Sequence, residues 1–219
     1  MKVLSLLTFI ALVFSLAKEA TPLNTRPISY PDSWTLMQQY NWERLNVHYH
    51  YTPNINNSVG FVFSDYEEVS QKLYAAQWNH LIYRENKKKS QANLYSKLQL
   101  GTLRLDDKDE DFYHFDLHLS YDWETRKHFC ALSIGTTYDG PEESFSQHQS
   151  ARIGIAPYLA GYGQLHTWLM LQVEHHPNET LSDNRLLWTP MLRLFKGDLL
   201  VELGANSNQK LLINSIIRF

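Results

Sequence analysis

The chain has 219 residues, a formal net charge of −3 and a single cysteine, Cys130. So weak a field offers little to a nucleic-acid backbone, and one cysteine excludes an intramolecular disulfide. Aromatic residues make up 13% of the chain while apolar content stays at 43%, which suits a barrel with a polar inside and aromatic girdles at its rims.

The opening MKVLSLLTFIALVFSLA places a lysine before an apolar run that ends in Ser15-Leu16-Ala17. Small residues at −3 and −1 fit a signal peptide, residues 1–17, cleaved after Ala17. The run is short for a spanning helix, and charged or amide residues interrupt every later apolar stretch. Residues 18–32 carry Pro22, Pro27 and Pro31 and read as an irregular periplasmic lead-in. Residues 33–219 form one further unit.

Within that unit, turn signals recur every dozen or so residues, the mark of a β-meander joined by hairpins. The strands centre on SWTLMQQY, RLNVHYHYT, NSVGFVFS, KLYAAQWNHLIY, SQANLYSKLQLG, FYHFDLHLSYDW, HFCALSIGTTY, SARIGIAPYLA, QLHTWLMLQVEH, RLLWTPMLRLF, DLLVELGAN and KLLINSIIRF. FYHFDLHLSYDW alternates strictly: Tyr113, Phe115, Leu117, Leu119, Tyr121 and Trp123 share one face, and His114, Asp116, His118, Ser120 and Asp122 the other. In a soluble barrel the greasy face would turn inward; in a membrane barrel it turns out to lipid. The strand around Trp78 is ambiguous in phase, and Pro157 and Pro190 suggest bulges or bends. Cys130 falls in the apolar phase of its strand, as a packed free thiol would.

The connections sort by charge. With the start of the barrel on the periplasmic side, the outer loops are NWER, SDYEEV, DDKDED, DGPEES, HPNETLSD and NSNQ. The periplasmic ones are PNINN, ENKKK, ETRK, GYG and KGD. The outer set is acidic through Asp65, Glu67, Glu68, Asp106, Asp107, Asp109, Glu110, Glu142 and Glu143. The shorter inner set is basic through Lys87, Lys88, Lys89, Arg126, Lys127 and Lys196. Solvation of turns explains their charge but not this sorting. The last strand closes on Phe219, and a terminal aromatic is the kind of signal that bacterial barrel-assembly machinery reads. The fold expected is all-β: a single antiparallel up-and-down transmembrane β-barrel of about twelve strands in outer-membrane lipid.

SWTLMQQ, SQANLY, QSARIGIAPYLAGYGQLHTWLMLQVEHHP and the ending SIIRF resemble an uncharacterised family of small proteobacterial outer-membrane β-barrel proteins. The resemblance implies an outer-membrane address and, through genes that lie near heavy-metal or copper-handling genes, a link to metal stress. It supplies no activity and no catalytic residues.

The polar face also carries His48, His50, His114, Asp116, His118, His148, His166, Glu174 and His176. Imidazole with carboxylate suits copper or zinc, and antiparallel threading would bring His114, Asp116, His148, Glu174 and His176 towards one outer-mouth site. The plainer expectation is a lumen filled by polar groups that satisfy one another, with Arg44, Lys97, Arg152, Arg185, Arg193 and Arg218 as partners. No hydrolase elbow, phosphate loop or His-Glu-x-x-His motif points to an enzyme. A channel fits, narrowed by inward Trp168, Met170 and Tyr158, with loops that supply no obvious plug. The competing expectation is a soluble periplasmic β-barrel that binds a small apolar ligand.

Overall fold

A computed structural model describes residues 28–41, 44–66, 69–161, 163–175, 177 and 186–219. The expected signal peptide, most of the lead-in, and His176 and Arg185 lie outside the described residues. The strands are β1 (Ser33–Asn41), β2 (Arg44–Asn54), β3 (Asn57–Tyr66), β4 (Gln71–Lys87), β5 (Ser90–Leu105) and β6 (Glu110–Thr125). They continue as β7 (His128–Asp139), β8 (Ser144–Ile155), β9 (His166–His175), β10 (Leu186–Lys196), β11 (Leu199–Ala205) and β12 (Leu211–Arg218). Each pairs antiparallel with its neighbour in sequence, and β12 returns to β1, so the sheet closes into a barrel with no free edge. At the seam, Trp34 N–H donates to Phe219 O at 2.7 Å and Phe219 N–H to Trp34 O at 3.0 Å.

Each expected strand is present, and the alternation in FYHFDLHLSYDW has its answer. Tyr113 is 86% exposed and the adjacent His114 only 5%. Tyr113, Leu117, Leu119 and Tyr121 point out; His114 and Asp116 point into the lumen. A soluble barrel around an apolar ligand needs the reverse, so that expectation is overturned. Register extends the pattern, because residues paired across an antiparallel ladder share a face. The outward surface is aliphatic at mid-height, through residues such as Leu98, Leu117, Leu132, Ile134, Ile153 and Leu169. Aromatic rings flank this band. Trp34, Tyr49, Tyr51, Tyr83 and Tyr121 lie towards the end that carries Ser33 and Phe219, hereafter the terminal end. Tyr74, Tyr113, Tyr138, Phe145 and Trp188 lie towards the opposite end. Trp34 stacks on Tyr49 with ring centroids 4.8 Å apart. Cys130 is a free thiol paired in register with outward Trp123, in the apolar phase as read.

Three local expectations change. β8 begins at Ser144 and stops at Ile155, so Pro157 ends the strand rather than bending it. The connection to β9 is consequently the ten-residue segment 156–165, much longer than GYG. Tyr158 belongs to that segment, is exposed, and donates from its hydroxyl to Leu165 O at 2.9 Å; it does not narrow the barrel. Pro190 faces outward at the end of the β10–β11 ladder, whose last pair is Met191 with Gly204, while the β9–β10 ladder runs on past it. The β4 bulge sits instead at Ile82, where Leu81 pairs with Tyr95 but Tyr83 with Leu94. The extra residue lets both Ile82 and Tyr83 face out and explains why this strand resists a single phase.

Candidate functional site: the lumen

The inward faces of the strands build two charged clusters and an amide chain. In register, His118 of β6 pairs with Gly135 of β7, which pairs with His148 of β8. A Cβ on Gly135 would lie 2.4 Å from the His118 ring. Glycine therefore lets the imidazole lie across β7, where its centroid comes 5.7 Å from that of His148. His118 Nε2 donates to Asp116 Oδ1 at 2.8 Å, and Thr137 Oγ1 donates to the same oxygen at 2.8 Å. Lys97 Nζ sits 3.0 Å from Asp116 Oδ2. His148 Nε2 is 3.6 Å from Glu174 Oε1.

The second cluster centres on Glu202 of β11, which is 2% exposed. Arg193 Nε donates to Oε1 at 2.7 Å, Arg152 Nη1 to the same oxygen at 3.1 Å, and Asn214 Nδ2 to Oε2 at 2.8 Å. Arg152 also donates to Gln172 Oε1. The Arg193 guanidinium lies 4.8 Å from the Phe129 ring centroid. One carboxylate thus holds two arginines from separate strands, an arrangement that fixes β8, β10 and β11 by charge-assisted hydrogen bonds. The arginines were legible as lumen residues; Glu202 was not singled out. Its signal was a lone acid in the otherwise apolar strand LLVELGA, in phase with Leu200 and Gly204.

Elsewhere hydrogen bonds link much of the wall, largely through amides, with Arg84 and Asp122 as charged members. His48 Nδ1 donates to Gln77 Oε1 at 2.7 Å and Gln99 Nε2 to the same oxygen at 2.8 Å. Gln77 passes the chain on to Asn79, and Asn79 to Ser58. Arg84 Nε donates to Asn93 Oδ1 at 2.8 Å, and Asn93 Nδ2 to Asp122 Oδ1 at 2.8 Å. Buried polar groups with such partners cost little; alone they would each be expensive.

Between these walls lies a cavity of about 350 Å³, to which every strand except β3 and β10 contributes a lining side chain. A second cavity of about 590 Å³ opens at the terminal end. An apolar knot of Phe129, Met170, Met191 and Leu212, with Trp168 packed against it, fills much of the β7–β12 side between them. Gly154 and Gly204 make room for it, since a Cβ there would come 3.0 Å from Met170 and 2.6 Å from Met191. Two segments also pack at the terminal end. Ile28 is buried against lumen-facing Leu81 and Tyr95, and Ser29 N–H donates to Thr52 Oγ1 at 3.3 Å. Segment 156–165 buries Ala156 and Ala160, and Arg126 Nη2 donates to Ala160 O at 3.1 Å. The barrel therefore carries plugging elements that the short loops of the sequence did not suggest.

The residues expected to hold copper or zinc are distributed as follows. His148 and Glu174 are adjacent, and Asp116 joins them through His118 rather than through His114. His114 is buried two residues further along β6, in register with Asp139 rather than with His148. His176 lies outside the described residues. Among the described residues no three such side chains are arranged to hold a metal ion. Asp116 is already engaged by a lysine, a histidine and a threonine.

No family model matches the chain, and no curated protein matches it. Among solved structures, the chain is similar to a KdgM porin in complex with disordered oligogalacturonate, at 9% identity and a TM-score of 0.51, over 85% of this chain and 98% of that one. It also aligns with OccK11 (OpdR) of Pseudomonas aeruginosa at 9% identity and a TM-score of 0.43, over 84% of this chain and 61% of that one. LpxR from Salmonella typhimurium aligns at 9% identity and a TM-score of 0.42, over 85% and 99%. At such identities the first likeness speaks for the barrel fold alone.

Proposed function

We propose that the chain is an outer-membrane β-barrel that passes small polar solutes through a narrow, internally constricted lumen. The observation that carries this reading is the inversion of polarity: an aliphatic, aromatic-girdled outside around a hydrogen-bonded, charged inside that still encloses a cavity of about 350 Å³. Closed barrels leave no backbone group unpaired in hydrocarbon, and their polar interiors serve passage or packing. The porin fold of the similar KdgM structure supports passage. The terminal end, with its basic turns, faces the periplasm in this reading, and the acidic end faces outside.

The experiment is planar-bilayer recording of the protein refolded in detergent. Small, discrete conductance steps are expected, well below those of wide porins, because the Phe129–Met170–Met191–Leu212 knot and the Ile28 plug narrow the path. A membrane that stays silent over many insertions verified by antibody would overturn the passage reading.

A further inference from the structure

The cavity at the terminal end differs in chemistry from the central one. Four cations line it, Lys87, Lys89, Arg126 and Arg193, against one carboxylate, Glu124, among the described residues. Two of these cations already have partners: Lys87 lies 3.0 Å from Glu85, and Arg193 shares Glu202 with Arg152. Among the described residues the other two make no ion pair with a carboxylate, although Glu124 lines the same cavity. Lys89 projects from the β4–β5 turn, and the Arg126 guanidinium donates to the carbonyl of Ala160. Lys88, Lys127 and Lys196 add charge on the same rim, whereas the opposite rim is acidic through Asp65, Asp106, Asp107, Asp109 and Glu110.

The cavity is also walled. The β4–β5 hairpin stands on one side, segment 156–165 lies across it through Leu159, Ala160 and Gly161, and Trp168 with Phe195 gives it an apolar floor. A volume of about 590 Å³ falls within the range of small-molecule sites. Excess positive charge in a partly enclosed, low-dielectric mouth raises the local concentration of anions. Acidic groups at the far rim lower it there, so the two mouths are unequal.

We infer that this vestibule is a binding site for a small organic anion, with carboxylate groups held by Lys89 and Arg126 and a hydrocarbon or ring body resting on Trp168. The inference deepens the passage reading by naming a class of solute, but binding at the mouth is measurable whether or not the lumen conducts.

The test is calorimetric titration of the detergent-folded barrel at low salt, with citrate as the anionic probe and glucose as the neutral one. Citrate should bind and glucose should not. Lys89→Glu, at an exposed turn position, should weaken citrate about tenfold or more, the loss of an attractive contact and its replacement by repulsion. Lys108→Glu, at the opposite rim, should leave the affinity unchanged. Heat-modifiable migration of each variant confirms that the barrel has folded. Citrate binding no tighter than glucose, or equal losses in Lys89→Glu and Lys108→Glu, would overturn the site. A silent bilayer with intact citrate binding would instead overturn passage alone.

Discussion

Glu202 shows what a single inward residue does in this barrel. Its carboxylate is buried and is held by Arg152, Arg193 and Asn214, three side chains from three strands. Desolvating three charges is costly, and the cluster is tolerable only because each charge finds its partner. Removing the one anion would leave two arginines facing each other in the lumen. Glu202→Gln is therefore expected to destabilise the folded barrel by about 3–5 kcal/mol, the usual loss when one partner of a buried pair is removed. The urea midpoint of the detergent-folded protein, followed by tryptophan fluorescence, checks it. The exposed pair of Lys72 and Asp106 makes the control: Lys72→Gln should leave the midpoint where it is, since water already screens that contact. Gly135 works at the same scale by absence, because only its missing side chain lets His118 reach across β7 to the neighbourhood of His148.

At the scale of elements, two strands and two plugs matter most. Phe219 closes the seam between β12 and β1 through a reciprocal pair of backbone hydrogen bonds with Trp34, and its ring lies exposed. Phe219→Ala is expected to slow insertion and send more of the chain to periplasmic proteolysis, which pulse-chase with heat-modifiability reads directly; unchanged insertion kinetics would remove the terminal ring from assembly. The plugs give a second expectation. Ile28→Glu would place a charge against Leu81 and Tyr95. It should expel the Ile28 segment from the mouth, raising single-channel conductance while the barrel stays folded. Equal conductance in the variant and the wild type would show that Ile28 does not obstruct the path. These elements also show what was legible in advance. Strands such as β6 announced themselves because period-two alternation is a local property of the chain. The early end of β8 did not, since GIAPYLA keeps its alternation past Pro157 while the ladder stops at Ile155. The bulge at Ile82 was visible only as a confused phase, because which of two adjacent residues is extra depends on the partner strand. Ile28 and segment 156–165 were missed for a related reason: what they pack against lies far away in sequence.

At the scale of the whole molecule, inversion and sidedness occur together. The apolar band faces out, the charged network faces in, and acidic and basic turns gather at opposite ends. His114, Asp116 and their neighbours would have been exposed to lipid under the opposite phase, at a cost that no hydrogen bond could offset. Which residues of the expected copper or zinc site reach the same height is set by strand register across several ladders rather than by spacing along one strand, so their grouping was not legible in the sequence. The central claim, that this barrel crosses the outer membrane with both termini on the periplasmic side, is most directly tested by cysteine labelling on intact cells. In a Cys130→Ser background, Asp107→Cys and Lys88→Cys each place one thiol in a turn at opposite ends of the barrel. An impermeant maleimide should label Asp107→Cys on intact cells and Lys88→Cys only after the outer membrane is opened. Equal labelling of the two on intact cells, or labelling of Lys88→Cys alone, would contradict the account.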